Sequence, residues 1–511
     1  MISHIYKYLY RGREIMALSM DRIKWIFLAI IILATSCAIN PVTKKHQLML
    51  VSEEEEFKTG RQVDKQVREE MGIYLELPKL RELVKRVESN IGKNSDRPNL
   101  IYRAEIVDTP DFNAFALPGG FIYVHRGLLA RINSIDELAA VLAHETTHVA
   151  ARHSASQMSK QKAMNILLFG VNIATGGAVQ NYGQFINLAA VLAFNKFSRD
   201  YERQADHCGL IYMTRSGYNP LAFVSVLKQI KRLEAREPSA FEVWFMTHPP
   251  ANERIMLAKE ELKQIKKNCP ECFKRPIRRN EYIALLDGLA MGERTPNELV
   301  LGDKYYNKEY CFSVKIPLGW YIRLRSKYAT AIFLNSKKQF SAFLNVEPLM
   351  KRTDNATYHK QKKKALLRHG LVKVADLKKA NLPYGAKASI FTGADKTRGN
   401  IKAELISFVR KENGYYILGS SKERDFSQLH NDIMEMINGW TFLKPEEAMK
   451  LQPLRLKIHR VKRGETWRSI TIKYYGSDIG AVRLAEFNGF DKGEEPPPGI
   501  LIKIPPSLRF Y

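Results

Sequence analysis

The stretch "AAVLAHETTHVAARH" (139–153) places His144 and His148 four residues apart with Glu145 between them, directly after an apolar run. At about 100° per residue along a helix, His144 and His148 lie only about 40° apart on one face and can close on a single ion. Glu145 projects beside that face, where it can act on a water held by the ion. The apolar run buries the helix, and buried histidines and a buried glutamate are costly without partners. The pattern therefore demands a partner cation and further ligands from elsewhere in the chain. His153, nine residues after His144, points roughly opposite on a continuous helix and is not expected to join them.

A catalytic zinc needs three protein ligands and one open position. The segment "SRDYERQADHCG" (198–209) supplies the candidate for the third, because Glu202 and Asp206 stand four apart in a helical context and share a face. Glu202 is expected as the oxygen ligand, completing a His₂Glu set around one Zn²⁺. Asp206 is expected to orient a ligand histidine through its other ring nitrogen. His207 is displaced from that face and reads as structural.

"HETTH" followed by "ERQAD", preceded by "NAFALPGGFIYVHRGLL" and trailed by "THPPANERI" (247–255), resembles the HtpX-like and Oma-like gluzincin peptidases, metallopeptidase family 48. The resemblance spans 113–255 and implies a mainly helical zinc endopeptidase domain with a small edge sheet. It further implies Glu145 as general base, and an edge strand led by Asn113, Ala114, Phe115 and Ala116 along which an extended substrate adds as another strand. His248 is either a latency ligand that approaches the metal's open position or a loop-fixing residue, and Arg254 holds its loop against a carboxylate. His248, His153 and Tyr201 are all open as donors to the oxyanion of the reaction.

The chain has 511 residues, more than one core normally holds, so several domains are expected. Its +27 charge is uneven: residues 301–511 carry 39 basic against 20 acidic side chains. Such a basic half suits nucleic acid, anionic lipid or an acidic polymer. The N-terminus chooses among them. Basic residues precede the short apolar run "WIFLAIIILA" (25–34), which fits a signal peptide, with Met16 or Met20 as candidate starts. "LATSC" resembles the lipobox of bacterial lipoproteins, implying lipidation of Cys37 and removal of residues 1–36. Ala38 after it points to the periplasmic face of the outer membrane, an inner-membrane anchor being the alternative. Export excludes nucleic acid as a partner. The other four cysteines, Cys208, Cys269, Cys272 and Cys311, are compatible with disulfides, and "CPEC" (269–272) with a local one.

The expected fold is multidomain α+β: a zinc metalloprotease domain (37–280), a central α+β domain of unknown role (281–445) and a linker with a C-terminal βααβ module (446–511). The motif helix is expected from about Ile135 to His153. The apolar stretch 163–194 is expected to pack over it. A basic helix is expected over 358–380, either resting on anionic lipid or simply solvated. The stretch 459–505, with "VKRGETW", "AVRLAEFNGF" and "PPGILIKIP", resembles the LysM glycan-binding module, which implies peptidoglycan as a partner. Two functions stay open: an envelope endopeptidase acting on misfolded or misassembled proteins, and a latent or chaperone-like wall-binding scaffold.

Overall fold

The computed structural model describes residues 37–174, 197–236, 248, 251–324, 329–335, 337–377, 382–395 and 398–508. The expected signal segment 1–36, and the apolar stretch from 175 to 196, lie outside them. Among the described residues no helix is long and apolar enough to cross a membrane.

The centre of the N-terminal half is the helix Ile135–Ala150, every residue of which is buried. Its sequence is apolar on nearly all sides, as a helix must be when surrounded by protein. Ser134 caps it by accepting from the Glu137 N–H at 3.0 Å, and Asp136 and Glu137 lie in its first turn, where the helix dipole favours negative charge. Around it pack the helices Pro78–Lys93, Arg199–Arg215 and Leu221–Arg236. Gly209 makes the closest approach possible: a Cβ there would lie 3.0 Å from the His144 backbone nitrogen.

A three-stranded sheet flanks the motif helix. Arg103–Val107 runs parallel to Phe121–His125, and Ala114–Leu117 pairs antiparallel on the far side as an edge strand. Phe121–His125 ends where the short helix Arg126–Arg131 begins, so the expected strand "FIYVHRGLL" is half strand and half helix.

The expected division at 281 runs through this core. Tyr282, Ile283, Leu286, Leu289 and Ala290 are buried in the same cluster as Leu138 and Leu142 of the motif helix. Beyond them stands an antiparallel sheet of seven strands, ordered from Val372–Asp376 at one edge to Tyr321–Arg323 at the other, and a smaller four-stranded sheet. Trp320, Phe333, Ile417, Leu429 and Trp440 fill their common core. The basic helix is shorter than expected, Asn355–Arg368, and the rest of 358–380 includes the strand Val372–Asp376. Gly370, at φ +85°, takes the left-handed conformation that ends a helix cheaply, and the chain then pairs with Lys387–Asp395.

At the C-terminus Lys457–Arg460 pairs antiparallel with Leu501–Ile504, enclosing the helices Trp467–Tyr475 and Ala481–Phe487 in a βααβ unit. This unit is docked on the motif-helix domain through a buried lysine. Lys503 donates to the carbonyls of Ala130, Arg131 and Ile132 at 2.8–2.9 Å, satisfying the orphan acceptors at the end of Arg126–Arg131. Replacing Lys503 by Met would leave those carbonyls unpaired. The expected loss is about 1–3 kcal/mol of docking free energy, read as earlier tryptic release of the 455–508 segment than from the parent chain.

Candidate metal centre

The motif helix and the helix Arg199–Arg215 present His144, His148 and Glu202 to one another, and the isolated position His248 completes the group. One donor atom from each lies within 4.8 Å of the others, and all four side chains are buried. The Nε2 atoms of His144 and His148 stand 3.2 Å apart, with the two Glu202 oxygens 3.7 and 3.6 Å from them.

Hydrogen bonds behind the rings decide which nitrogens carry protons. Asp206 Oδ1 lies 2.9 Å from His144 Nδ1, so the proton sits on Nδ1 and Nε2 is bare. His153 donates its Nε2–H to Gln204 Oε1 at 3.2 Å, which makes its Nδ1 an acceptor for His148 Nδ1–H at 2.8 Å. His148 Nε2 is therefore bare as well. Two lone pairs facing each other at 3.2 Å beside a carboxylate repel unless a cation lies between them. Two imidazoles and a carboxylate are a donor set that suits zinc.

The same geometry gives His153 a role. The motif helix stops at Ala150, and Arg152 takes φ +57°, so His153 opens the next helix, His153–Ala174, and swings back beneath His148. It does not point away, as it would on a continuous helix, and it is outside the candidate ligand group; it holds the ring of the candidate ligand His148. Tyr201 stacks on His153 with ring centres 4.1 Å apart, and its hydroxyl bonds Ser156. Phe197 stacks on His148, also at 4.1 Å. Gln204 and Phe197 had no sequence signal beyond their closeness to Glu202.

Asp206 is fixed in turn by Arg254, whose Nε and Nη2 donate to its two oxygens at 2.8 and 2.7 Å. Burial alone would raise the Asp206 carboxyl, but the Arg254 charge and the bond to His144 overcome it and hold the group well below the ordinary range. Arg254 thus meets a carboxylate. His248 Nδ1 lies 3.0 and 2.9 Å from the Glu202 oxygens, while its Nε2 faces Glu145 at 3.8 Å. The ring therefore stands between the two glutamates.

Glu145 is almost fully buried, and its Oε1 has no hydrogen-bond partner among the described residues. Burial, reinforced by the nearby Glu202 charge, pushes its carboxyl up to about 7, against the opposing pull of His144. The backbone amide of Ala116 opposes that rise, so the edge strand lies beside the general-base candidate. Of the expected substrate contacts, Ala114 and Ala116 pack towards the motif helix. Phe115 faces the opposite way, into a cluster with Val63, Val67 and Tyr123, so its side chain is not available to a substrate in the cleft. Asn113 is fully buried and neither side-chain amide atom has a hydrogen-bond partner among the described residues. His207 pairs with Glu261 away from the group, and Cys269 and Cys272 form the expected local disulfide, leaving Cys208 and Cys311 free.

The part of the chain that holds this group is similar to known proteins. The model for peptidase family M48 matches residues 76–262. The mitochondrial metalloendopeptidase OMA1 of Schizosaccharomyces pombe is 30% identical over 264 residues, covering 49% of this chain and 76% of that protein. The beta-barrel assembly-enhancing protease of Yersinia pestis is 27% identical over 198 residues, covering 37% of this chain and 40% of that one. The chain thus spans three quarters of the first relative and less than half of the second. Among solved structures, LpqN of Mycobacterium tuberculosis matches 26% of the chain and 83% of its own length at 11% identity, with a TM-score of 0.21 too low to bear on the fold.

Removing the Asp206 acceptor tests the tautomer scheme. Asp206→Asn is expected to weaken zinc binding roughly 10- to 100-fold without unfolding the chain, measured by competition with a chromogenic chelator; unchanged affinity would show that Asp206 does not set the His144 ring.

Proposed function

The chain belongs to peptidase family M48, and on that premise we propose that it is a zinc-dependent endopeptidase of the bacterial cell envelope that degrades misfolded or stalled envelope proteins. The observation that carries this reading is the pair of bare histidine nitrogens closing on Glu202 beside a buried glutamate with an unpartnered oxygen. A binder has no need of that glutamate.

His144, His148 and Glu202 would hold the ion. When bound, zinc supplies Lewis acidity, polarising the scissile carbonyl and making water acidic enough to lose a proton near neutral pH. Glu145 accepts the proton of the attacking water at its carboxylate and returns it to the leaving amide nitrogen. The strand Ala114–Leu117 has one edge unpaired among the described strands, and an extended peptide can add there. In the pairing with Phe121–His125, the Asn113 carbonyl accepts from His125 N–H, which turns the polar groups of Ala114 and Ala116 outward to the free edge. Asp206 and Arg254 keep His144 aimed throughout.

The envelope address rests on the lipobox-like "LATSC" with Cys37 as the lipidated residue, and on the likeness to a beta-barrel assembly-enhancing protease. Peptidoglycan tethering rests on the LysM-like pattern of the βααβ unit. A second reading, a latent protease or chaperone-like scaffold, is favoured by one observation: His248 sits among the candidate ligands. As a fourth ligand it would fill the position that a substrate carbonyl needs.

Zinc content and casein cleavage separate the readings. Glu145→Gln is expected to keep zinc and lose at least about 10²-fold in rate, Glu202→Ala to lose zinc, and His248→Ala to cleave faster than the parent if the chain is latent. Cleavage that survives Glu145→Gln unchanged sinks the catalytic assignment. Wall tethering predicts retention of the full chain by isolated peptidoglycan sacculi, and no retention removes that part.

A further inference from the structure

The helix Leu221–Arg236 has two working faces. Phe223, Val226, Leu227 and Ile230 line a narrow cavity against His144, Glu145 and Arg254. The opposite face, Leu221, Val224, Ser225, Lys228, Gln229 and Arg232, follows the 3–4 spacing of one helical side and lines a separate cleft of about 300 Å³. Lys259 and Leu262 of the helix Ala251–Asn268 form its second wall, and the turn at Gly489 and Asp491 of the C-terminal unit forms its third. The cleft exists only because that unit is docked. Gly489, at φ +83°, presses its backbone onto the floor, where a Cβ would come within 3.3 Å of Gln229 Nε2.

The chemistry of the lining is one-sided. Arg232 is paired with Asp491, but Lys228 and Lys259 have no ion-pair partner among the described residues, so two positive charges are uncompensated. Gln229 is only 5% exposed, and its Nε2 donor has no acceptor among the described residues. A buried amide donor without a partner is costly, and native chains rarely tolerate one without use. Leu221, Val224 and Leu262 add apolar surface beside these groups. The volume is that of a small-ligand site.

We propose that this cleft binds an anionic group, carboxylate or phosphate, carried on a partly apolar ligand and held between the protease helices and the C-terminal unit. The Gln229 amide, whose Nε2 is covered, turns to donate to the anion, Lys228 and Lys259 neutralise it, and the leucines and valine cover the apolar part. Because the same helix lines the cavity behind His144 and Glu145, an occupant of the cleft bears on the metal centre through one rigid element. The site does not depend on the chain being an active protease, since its readout is binding.

Isothermal titration of the full chain with hexyl phosphate and with hexanoate, hexanol serving as neutral control, tests it. The expected result is saturable one-to-one binding of at least one anion and none of hexanol, the preferred anion identifying the headgroup. Lys228→Glu/Lys259→Glu is expected to weaken binding at least about tenfold, the scale of one lost charge-assisted hydrogen bond, and Gln229→Leu to weaken it severalfold. Lys228→Gln/Lys259→Gln, checked by circular dichroism and zinc content, guards against a folding defect in the reversed-charge variant. Absence of saturable binding by either anion, or binding unchanged in the glutamine pair, overturns the proposal.

Discussion

A helix that carries two histidines, two glutamates, an aspartate and two threonines through the middle of a protein core constrains everything around it. Each buried polar group needs a partner, because leaving one unmade costs more than the bond itself contributes. Thr146 donates to Glu88, whose carboxyl burial pushes up to about 8, and Thr147 donates back to the Ala143 carbonyl. Asp136 accepts from Arg278, and Glu137 from Ser225. His144 rests on Asp206, and Asp206 on Arg254. The neighbours of Ile135–Ala150 are thus chosen by its polar demands as much as by its apolar surface. Among the described residues, the two bare Nε2 atoms and Glu145 Oε1 are the demands of this helix that no hydrogen bond meets.

What the sequence made legible follows from the reach of local periodicity. His144, His148, Glu202 and Asp206 each lie within one regular helix, so spacing alone puts each pair on a common face. The rotation counted for His153 on a continuous helix does not apply, because one residue, Arg152, leaves the helical region, although His153 stays outside the candidate ligand group. Gln204 and Phe197 act across the gap between two helices, which no periodicity reports. The basic helix is shorter than its composition suggests for the opposite reason: Lys and Leu are tolerant of either structure, and the signal that ends it is Gly370 followed by the alternation of Val372 and Val374. Phe115 carried a sound strand assignment but no indication of which side of the strand faced the cleft, since both faces are buried.

The division of the chain into independent units was the least legible feature, because the joints are made by single long cations reaching between distant segments. Arg126 donates to Asp108 at 2.7 Å and also reaches the carbonyls of Ala290 and Gly292. Arg294 reaches Asp108 and Glu76, and Arg455 reaches the same Glu76 and the Gly288 carbonyl. Lysine and arginine counts look like surface charge in a composition, yet Arg126 and Lys503 are among the most buried side chains present. Part of the large basic excess is therefore internal mortar and does not advertise an external acidic partner.

This joinery bears on what the C-terminal βααβ unit can do. A βααβ module on a loose linker would tether the protease and leave its chemistry alone. Here Lys503 terminates a helix of the motif domain, Leu501 N–H donates to Asn280, and Gly489 lies against Asn133 and Gln229. The turn that follows the second helix of the module is consequently part of the protease surface. A ligand reaching that turn touches both units at once, and displacing the module would unpair carbonyls at the end of the helix that the strand Phe121–His125 feeds. Since that strand pairs with the edge strand that packs on the motif helix, a continuous set of packed elements joins the C-terminal unit to Glu145, the general-base candidate.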